Sequence, residues 1–336
     1  MSPLISFILL CSAALCEQPE PRTVLRAEMV LLFQNPDGGW PKNVQWNSFE
    51  TLNDAEEGFK KFPKRKSTID NSATYTQIRE LAAAYTKTNN PNYRDAARRG
   101  LEFILREQRP SGGWRGSDVD AITFNDDAMI GVMRLLKEIT QKQSNFRWVK
   151  PAERERCQQA LARALRVLLD CQIVVDGKKT AWCQQHDHET LKPFKARSYE
   201  LPSISGVESL KIVRYLMEEE APIAEIVEAV EGAVAWFRRS AIRGIRIERF
   251  DIDPVKDGNK VIEHDVRVVR DPDAKPVWAR FYEIDTNRPF FCNRDGIKVY
   301  TLAEVTLERR TGYSWYSDAA AKLLEKEYPK WLERLK

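Results

Sequence analysis

Histidine is scarce in this chain, with three residues in 336, and cysteine numbers six, two of them within the first sixteen positions. The segment Cys183-Gln-Gln-His186-Asp-His188 gathers three soft or borderline metal ligands. No CxxC or HExxH context accompanies them, so zinc is disfavoured and His186 is expected to hydrogen-bond within its loop. No nucleophile elbow is present, which sets Ser-His-Asp hydrolysis aside. The four later cysteines, Cys157, Cys171, Cys183 and Cys292, are too few for a stapled mini-domain, and a domain of this size needs no stapling. Cys157 and Cys171 fall on one periodic helix and cannot pair, so buried free thiols are expected. No apolar run is long enough to span a bilayer. Charge of one sign is also missing: 53 basic against 49 acidic residues leave +4, which gives no case for nucleic acid.

The amino terminus reads as a secretory signal. Leu4 to Leu15 is a short apolar run with small residues at Ser12, Ala13 and Ala14, and the first charge is Glu17. Cleavage after Ala14 or Cys16 suits the small-residue rule, although the run has no Lys or Arg before it. A lipoprotein box fits poorly, because a leucine precedes both Cys11 and Cys16. The expectation is a signal over 1–16, one catalytic domain over 17–336, and a secreted or periplasmic protein.

What is present is a repeat. Gln34-NPDG-Gly39-Trp40 recurs as Gln108-RPSG-Gly113-Trp114, and a looser copy runs from Gln172 through Gly177 to Trp182. Each copy follows an apolar stretch at helical spacing, such as Ala97, Leu101, Ile104 and Leu105, or Cys157, Leu161, Ala164, Leu165 and Leu168. Further amphipathic stretches cover Ile78–Tyr85, Ala128–Ile139, Val207–Met217, Ile223–Phe237 and Ala319–Glu327. Repeated helical hairpins with glycine turns between them predict an all-α fold, an (α/α)3 toroid in which the hairpins bury one another's apolar faces. The pattern breaks near 243–277, where charges, prolines and the β-branched run Val266–Val269 predict a small strand-containing excursion that could rim a site. The glutamine–glycine–tryptophan device identifies architecture, not chemistry.

Several residues invite a chemical reading. Asp70 precedes the helical stretch ending at Ile78, and Asp126 with Asp127 opens Ala128–Ile139. Such residues are ordinary helix N-caps, but carboxylates are also the ligands of hard cations. If both start helices at the same end of neighbouring hairpins, the hairpins bring them together. Arg280, Arg288, Arg294, Arg309 and Arg310 crowd the carboxyl-terminal third, where solvated faces and surface ion pairs are the plain alternative. Thr180–Ser209 is a long polar connection containing aromatic and aliphatic residues, which reads as a wall of a site.

Five segments carry a resemblance: Thr180–Ser209, STIDNSATYTQI (67–78), AITFNDDAM (121–129), WARFYEIDTNRPFFCNRDG (278–296) and ERRTGYSWY (308–316). Together they closely resemble the pectate lyases of polysaccharide lyase family ten. The resemblance implies the same toroid and calcium-dependent β-elimination of α-1,4-polygalacturonate, giving 4,5-unsaturated oligogalacturonides. It implies Ca²⁺ held by Asp70 and by Asp126 or Asp127, with the choice between the last two left open. Arg197 matches the catalytic arginine, a base whose neutral form would be favoured by nearby cations and alkali. Arg280, Arg294 and Arg309 or Arg310 match substrate-holding arginines, whose bidentate pairing suits a polymer bearing one carboxylate per sugar. Lys42, Asn71 and Tyr199 are weaker substrate-binding candidates. A monomer acting on pectate is expected. Other readings are an inverting glycoside hydrolase pairing Asp118 or Asp120 with Asp126, a terpene-cyclase-like enzyme using the same acids, and a non-catalytic binder of anionic glycans.

Overall fold

In the computed structural model, residues 21–62, 66–258 and 260–336 are described; the expected signal over 1–16 lies outside them. The helices are α1 (Pro21–Leu32), α2 (Leu52–Lys61), α3 (Tyr75–Thr88), α4 (Pro91–Glu107), α5 (Ala128–Thr140), α6 (Pro151–Asp170), α7 (Glu208–Leu216), α8 (Ala224–Arg239), α9 (Leu307–Thr311), α10 (Ala319–Lys322) and α11 (Tyr328–Arg334). The pairs α3/α4, α5/α6 and α7/α8 pack as successive hairpins. Their facing sides build one continuous core of alanine, leucine, isoleucine, valine and aromatic residues.

The repeated motif fastens these hairpins. Gln34 Nε2 donates to the Gly38 carbonyl in its own loop and to the Ala96 carbonyl on α4, at 2.8 and 2.9 Å. Gln108 does the same to Gly112 and to Ala160 on α6 at 2.9 and 2.8 Å. Gln172 reaches Thr180 and Ala229 on α8 at 3.0 and 2.8 Å. The fully buried Trp40, Trp114 and Trp182 each turn their indole N–H back onto a carbonyl of the preceding helix, those of Val30, Ile104 and Leu168. Glycine is required at 38 and 112. There φ is +94° and +98°, and a Cβ would lie 2.4 Å from the Arg99 carbonyl oxygen and 2.6 Å from that of Arg163.

The repeat also sets where each next helix begins. The backbone N–H groups of Thr68, Thr123 and Ser205 donate to the carbonyls of Trp40, Trp114 and Trp182 at 3.1, 3.0 and 2.8 Å. A turn follows each, and then α3, α5 or α7 starts. The three helix N-termini therefore emerge from the same device.

The expected all-α toroid is overturned by strand. The excursion at 243–277 is a long antiparallel hairpin of Ile245–Asp257 and Lys260–Arg270, in register from Ile245↔Arg270 to Asp257↔Lys260 with an irregularity between Asp251 and Val255. A four-stranded antiparallel sheet forms as well, in the order Lys298–Val299, Pro289–Cys292, Phe281–Tyr282, Ile204–Ser205. Short pairs join Ile122–Thr123 to Gln185–His186 and Trp278–Ala279 to Tyr316–Ser317. The physical reason lies in residues 278–317. Aromatic and β-branched side chains come there in short runs cut by Asn287, Pro289, Gly296 and Gly312, a pattern that suits pleated segments and is too interrupted for helix. These strands bury a second core of Tyr199, Phe281, Phe290, Phe291, Cys292, Leu302, Val305 and Trp315. Among the described residues no helix is long and apolar enough to cross a membrane. Cys157, Cys171, Cys183 and Cys292 are free and buried.

Candidate active site

The turns that open α3 and α5 lie against each other and are strained in the same way. Asn71 and Ser72 have φ of +48° and +65°, and Asp126 and Asp127 have +51° and +57°. With Thr74 at φ +64°, five non-glycine residues of positive φ in two abutting turns mark backbone held by its surroundings for a purpose other than stability. Asp70 and Asp126 come together on these turns, close enough for the charge of Asp70 to act on Asp126.

The two carboxylates differ in environment. Asp70 is 4% exposed and accepts from Lys42 Nζ at 2.7 Å and from Ser117 Oγ at 2.6 Å. Burial alone would raise its pKa, but these bonds and the Lys42 charge hold it below the ordinary carboxylate value. Asp126 is exposed, yet the protein around it weakens its solvation. Asp70 and Glu208 add negative charge, so its pKa rises against the opposing pull of Arg280 and Arg197. Asp127 turns aside to Lys211 Nζ at 2.9 Å.

The arginines form a comb over two tyrosines. Arg280, 9% exposed, stacks on Tyr313 at 4.4 Å and donates to Asn125 Oδ1 and to the buried carboxylate of Glu208. Burial opposes the Arg280 charge, but Glu208 and the other nearby anions keep its pKa raised. Gln184 lies against the same guanidinium, with its amide oxygen placed to accept at 3.1 and 2.9 Å. Arg309 stacks on Tyr199 at 4.6 Å and Tyr313 at 5.4 Å. Arg294 stands farther out, 5.7 Å from the Tyr199 ring, and is bidentate to Glu308 at 3.0 and 2.8 Å. Tyr199 and Tyr313 meet edge to face at 5.3 Å. Arg310 points elsewhere: it binds Asp265 of the long hairpin at 2.7 and 2.6 Å. Asn71 is exposed and bonded to Asn43.

Arg197 sits over Tyr199 at 5.0 Å and Tyr313 at 5.9 Å, with Asp118 Oδ2 at 4.0 Å from its Nε. Its Nε donates to Glu200 Oε2 at 2.9 Å, and its Nη2 to Oε1. Desolvation opposes the charge, but the Glu200 bonds and their Coulomb attraction outweigh it and push the Arg197 pKa up. The resting guanidinium is thus a firmly held cation, opposite to the neutral base that the resemblance implies.

Ser117 carries no sequence signal read above as a site; Gln184, Glu200 and Glu208 enter only as members of the Thr180–Ser209 wall, and Tyr313 only within 308–316, without roles of their own. Glu208 had a usable signal. Counting three residues on from Thr68, Thr123 and Ser205, the residues tied to the motif tryptophans, gives Asn71, Asp126 and Glu208. His186 offers no ligand to a metal. Its Nε2 accepts from the Cys183 N–H at 3.1 Å, and Nδ1 is bonded to the Leu191 carbonyl at 2.8 Å.

The profile of the pectic acid lyase family matches residues 34–324. The fold is similar to that of a family 10 polysaccharide lyase from Cellvibrio cellulosa, at 32% identity and a TM-score of 0.76 over 92% of each chain. It is equally similar to an aspartate-to-alanine variant of that enzyme in complex with trigalacturonic acid, also at 32% identity and 0.76, over 90% of this chain and 92% of the other. No curated protein matches the chain significantly in sequence. The family match spans both strained turns, the Arg197 loop and the arginine comb, and the chain belongs to the pectic acid lyase family, as a pectate lyase.

Proposed function

We propose that the chain cleaves α-1,4-polygalacturonate by calcium-dependent β-elimination, as one catalytic domain over 17–336, exported and acting as a monomer. The observation that supports this most is the meeting of Asp70 and Asp126 on two strained turns, faced by Arg197 and Arg280. Among the described residues no three His, Cys, Asp or Glu side chains converge to hold a metal alone. Asp70 and Asp126 would therefore share Ca²⁺ with substrate and water oxygens. The donor set fits a hard cation: both are carboxylates, and Asp126 is desolvated with the charges of Asp70 and Glu208 nearby. Calcium bound there would neutralise the uronate carboxylate and acidify the proton alpha to it.

The chain's own residues supply the rest. Arg280, and Arg309 and Arg294 beyond it, present guanidinium groups to the carboxylates of successive sugars, and Lys42 adds an ammonium beside Asp70. In alkali Arg197 first gives up a proton to solvent, against the hold of Glu200, and the neutral guanidine then takes the C5 proton. The C5–H electron pair forms the C4–C5 double bond, the C4–O bond breaks, and the departing oxygen takes a proton from water. Cations aimed at the carboxylate stabilise the enolate-like charge that develops there. A hydrolase pairing is poorly served, because Asp120 is engaged by Arg109 and Asp118 lies between Lys42 and Arg197.

Variants at both centres test the reading. Arg197→Lys should lower turnover about 1,000-fold while the fold persists, and Asp126→Ala should raise the calcium requirement sharply or abolish turnover. Near-normal rates in both would overturn the assignment.

A further inference from the structure

Glu200 is a carboxylate with 1% of its side chain exposed, lodged three residues from Arg197, and both of its carboxylate oxygens are bonded to that arginine. Oε2 accepts from the Arg197 backbone N–H at 3.2 Å and from Nε at 2.9 Å; Oε1 accepts from Nη2 and from the Tyr313 hydroxyl at 3.0 Å. Tyr313 in turn lies within 5.9 Å of the Arg197 guanidinium and 4.4 Å of that of Arg280. Among the described residues, Nη1 of Arg197 has no hydrogen-bond partner, while Nε and Nη2 are both held.

We propose that Glu200 and Tyr313 are positioning residues that lock the Arg197 guanidinium and select Nη1 as the nitrogen that receives the substrate proton. This rests on the reading of Arg197 as the base. The carboxylate holds the Nε proton and one of the two on Nη2. Losing the other Nη2 proton would weaken the N–H that must still serve Glu200, so Nη1, with neither proton held, is the nitrogen that gives one up when Arg197 becomes neutral. Loss of that proton leaves a lone pair on the one nitrogen not turned toward Glu200. The role parallels a carboxylate fixing the tautomer of a catalytic imidazole. The arrangement has a cost in acidity, since an anion against the guanidinium disfavours its neutral form, and orientation is gained in exchange.

That trade gives a signature which a purely structural role lacks. The charged and titratable groups facing Arg197 are the Glu200 and Asp118 carboxylates, the Tyr199 and Tyr313 phenols and the Arg294 cation, with Asp126 acting from the opposing turn. Glu200→Gln removes one anion from this set and leaves the others. The rising alkaline limb of kcat should then move to lower pH, while its plateau falls about 100-fold. KM should change less than about threefold, because Arg280 and Lys42 still hold the substrate. Tyr313→Phe keeps the ring beneath Arg280 and removes only the hydroxyl that fixes Glu200, so it should lower kcat about fivefold.

The experiment is steady-state kinetics on polygalacturonate across alkaline pH for the full-length wild type, Glu200→Gln, Tyr313→Phe and Arg197→Lys. Thermal melts of each confirm folding. A lowered plateau, an alkaline limb displaced to lower pH in Glu200→Gln and a smaller loss in Tyr313→Phe support the proposal. If Glu200→Gln does not fold, the fivefold loss in Tyr313→Phe at unchanged KM decides alone. Wild-type kcat in the folded variants, or a loss confined to KM, overturns it. If Arg197→Lys is also as active as wild type, the reading of the site falls too; if Arg197→Lys alone is inactive, only the clamp falls.

Discussion

Lys42 and Asp70 form an ion pair inside the candidate cation site: Nζ lies 2.7 Å from Oδ2, with the Ser117 hydroxyl bonded to the same oxygen. An ammonium thus occupies part of the coordination space that Ca²⁺ would use. Lys42→Met should tighten calcium binding about fivefold by removing a like charge beside the ligand. Asp126→Asn should weaken it by more than tenfold. Isothermal titration of CaCl₂ into each protein reads this without turnover. Unchanged affinity in both variants would remove Asp70 and Asp126 from the calcium shell.

The Arg197 loop should loosen in acid through His186. This imidazole is buried on the segment that leads to Arg197, and burial pushes its pKa down to about 4, against the smaller upward effect of its bond to Leu191. The folded state therefore refuses a proton that the unfolded state accepts near its ordinary value of about 6.5. Stability is complete above that value and declines as pH falls toward 4, by on the order of 3 kcal/mol from this group. Urea midpoints at pH 7.5 and pH 5 should converge in His186→Gln relative to wild type. An identical pH dependence in the two proteins would show that His186 does not govern the acid limb.

Arg310 should prove to be a structural residue. Its guanidinium binds Asp265 on the long hairpin and the carbonyls of Ala303 and Val305. Arg310→Ala should leave kcat/KM on pectate within about twofold, destabilise the protein by about 1 kcal/mol and speed amide exchange in 245–270. A turnover loss above tenfold with normal exchange in the hairpin would place Arg310 at the substrate instead.

Much of the helical frame was legible because its signals are local or periodic. The glutamine–glycine–tryptophan loops announced themselves, and the helices begin and end near the predicted apolar stretches. Asp70 and Asp126, each just ahead of an apolar run, read as candidate starts of neighbouring helices at one end. The sheet in 278–317 was missed because its strands are two to four residues long, too short for alternation to declare itself. Arg310 was misplaced for a different reason. Arg309 and Arg310 are adjacent, and only the helical rotation between them sends one to Tyr199 and the other to Asp265. Glu200 and Tyr313 lie 113 positions apart in the chain, a pairing that no local pattern encodes.

The most direct test is ultraviolet absorbance of polygalacturonate incubated with the purified protein at alkaline pH, once with CaCl₂ and once with EDTA. The account predicts a steady rise from the unsaturated uronide with calcium and none with EDTA. A flat trace from folded protein in both conditions, or a rise that EDTA leaves untouched, would contradict calcium-dependent β-elimination at Asp70, Asp126 and Arg197.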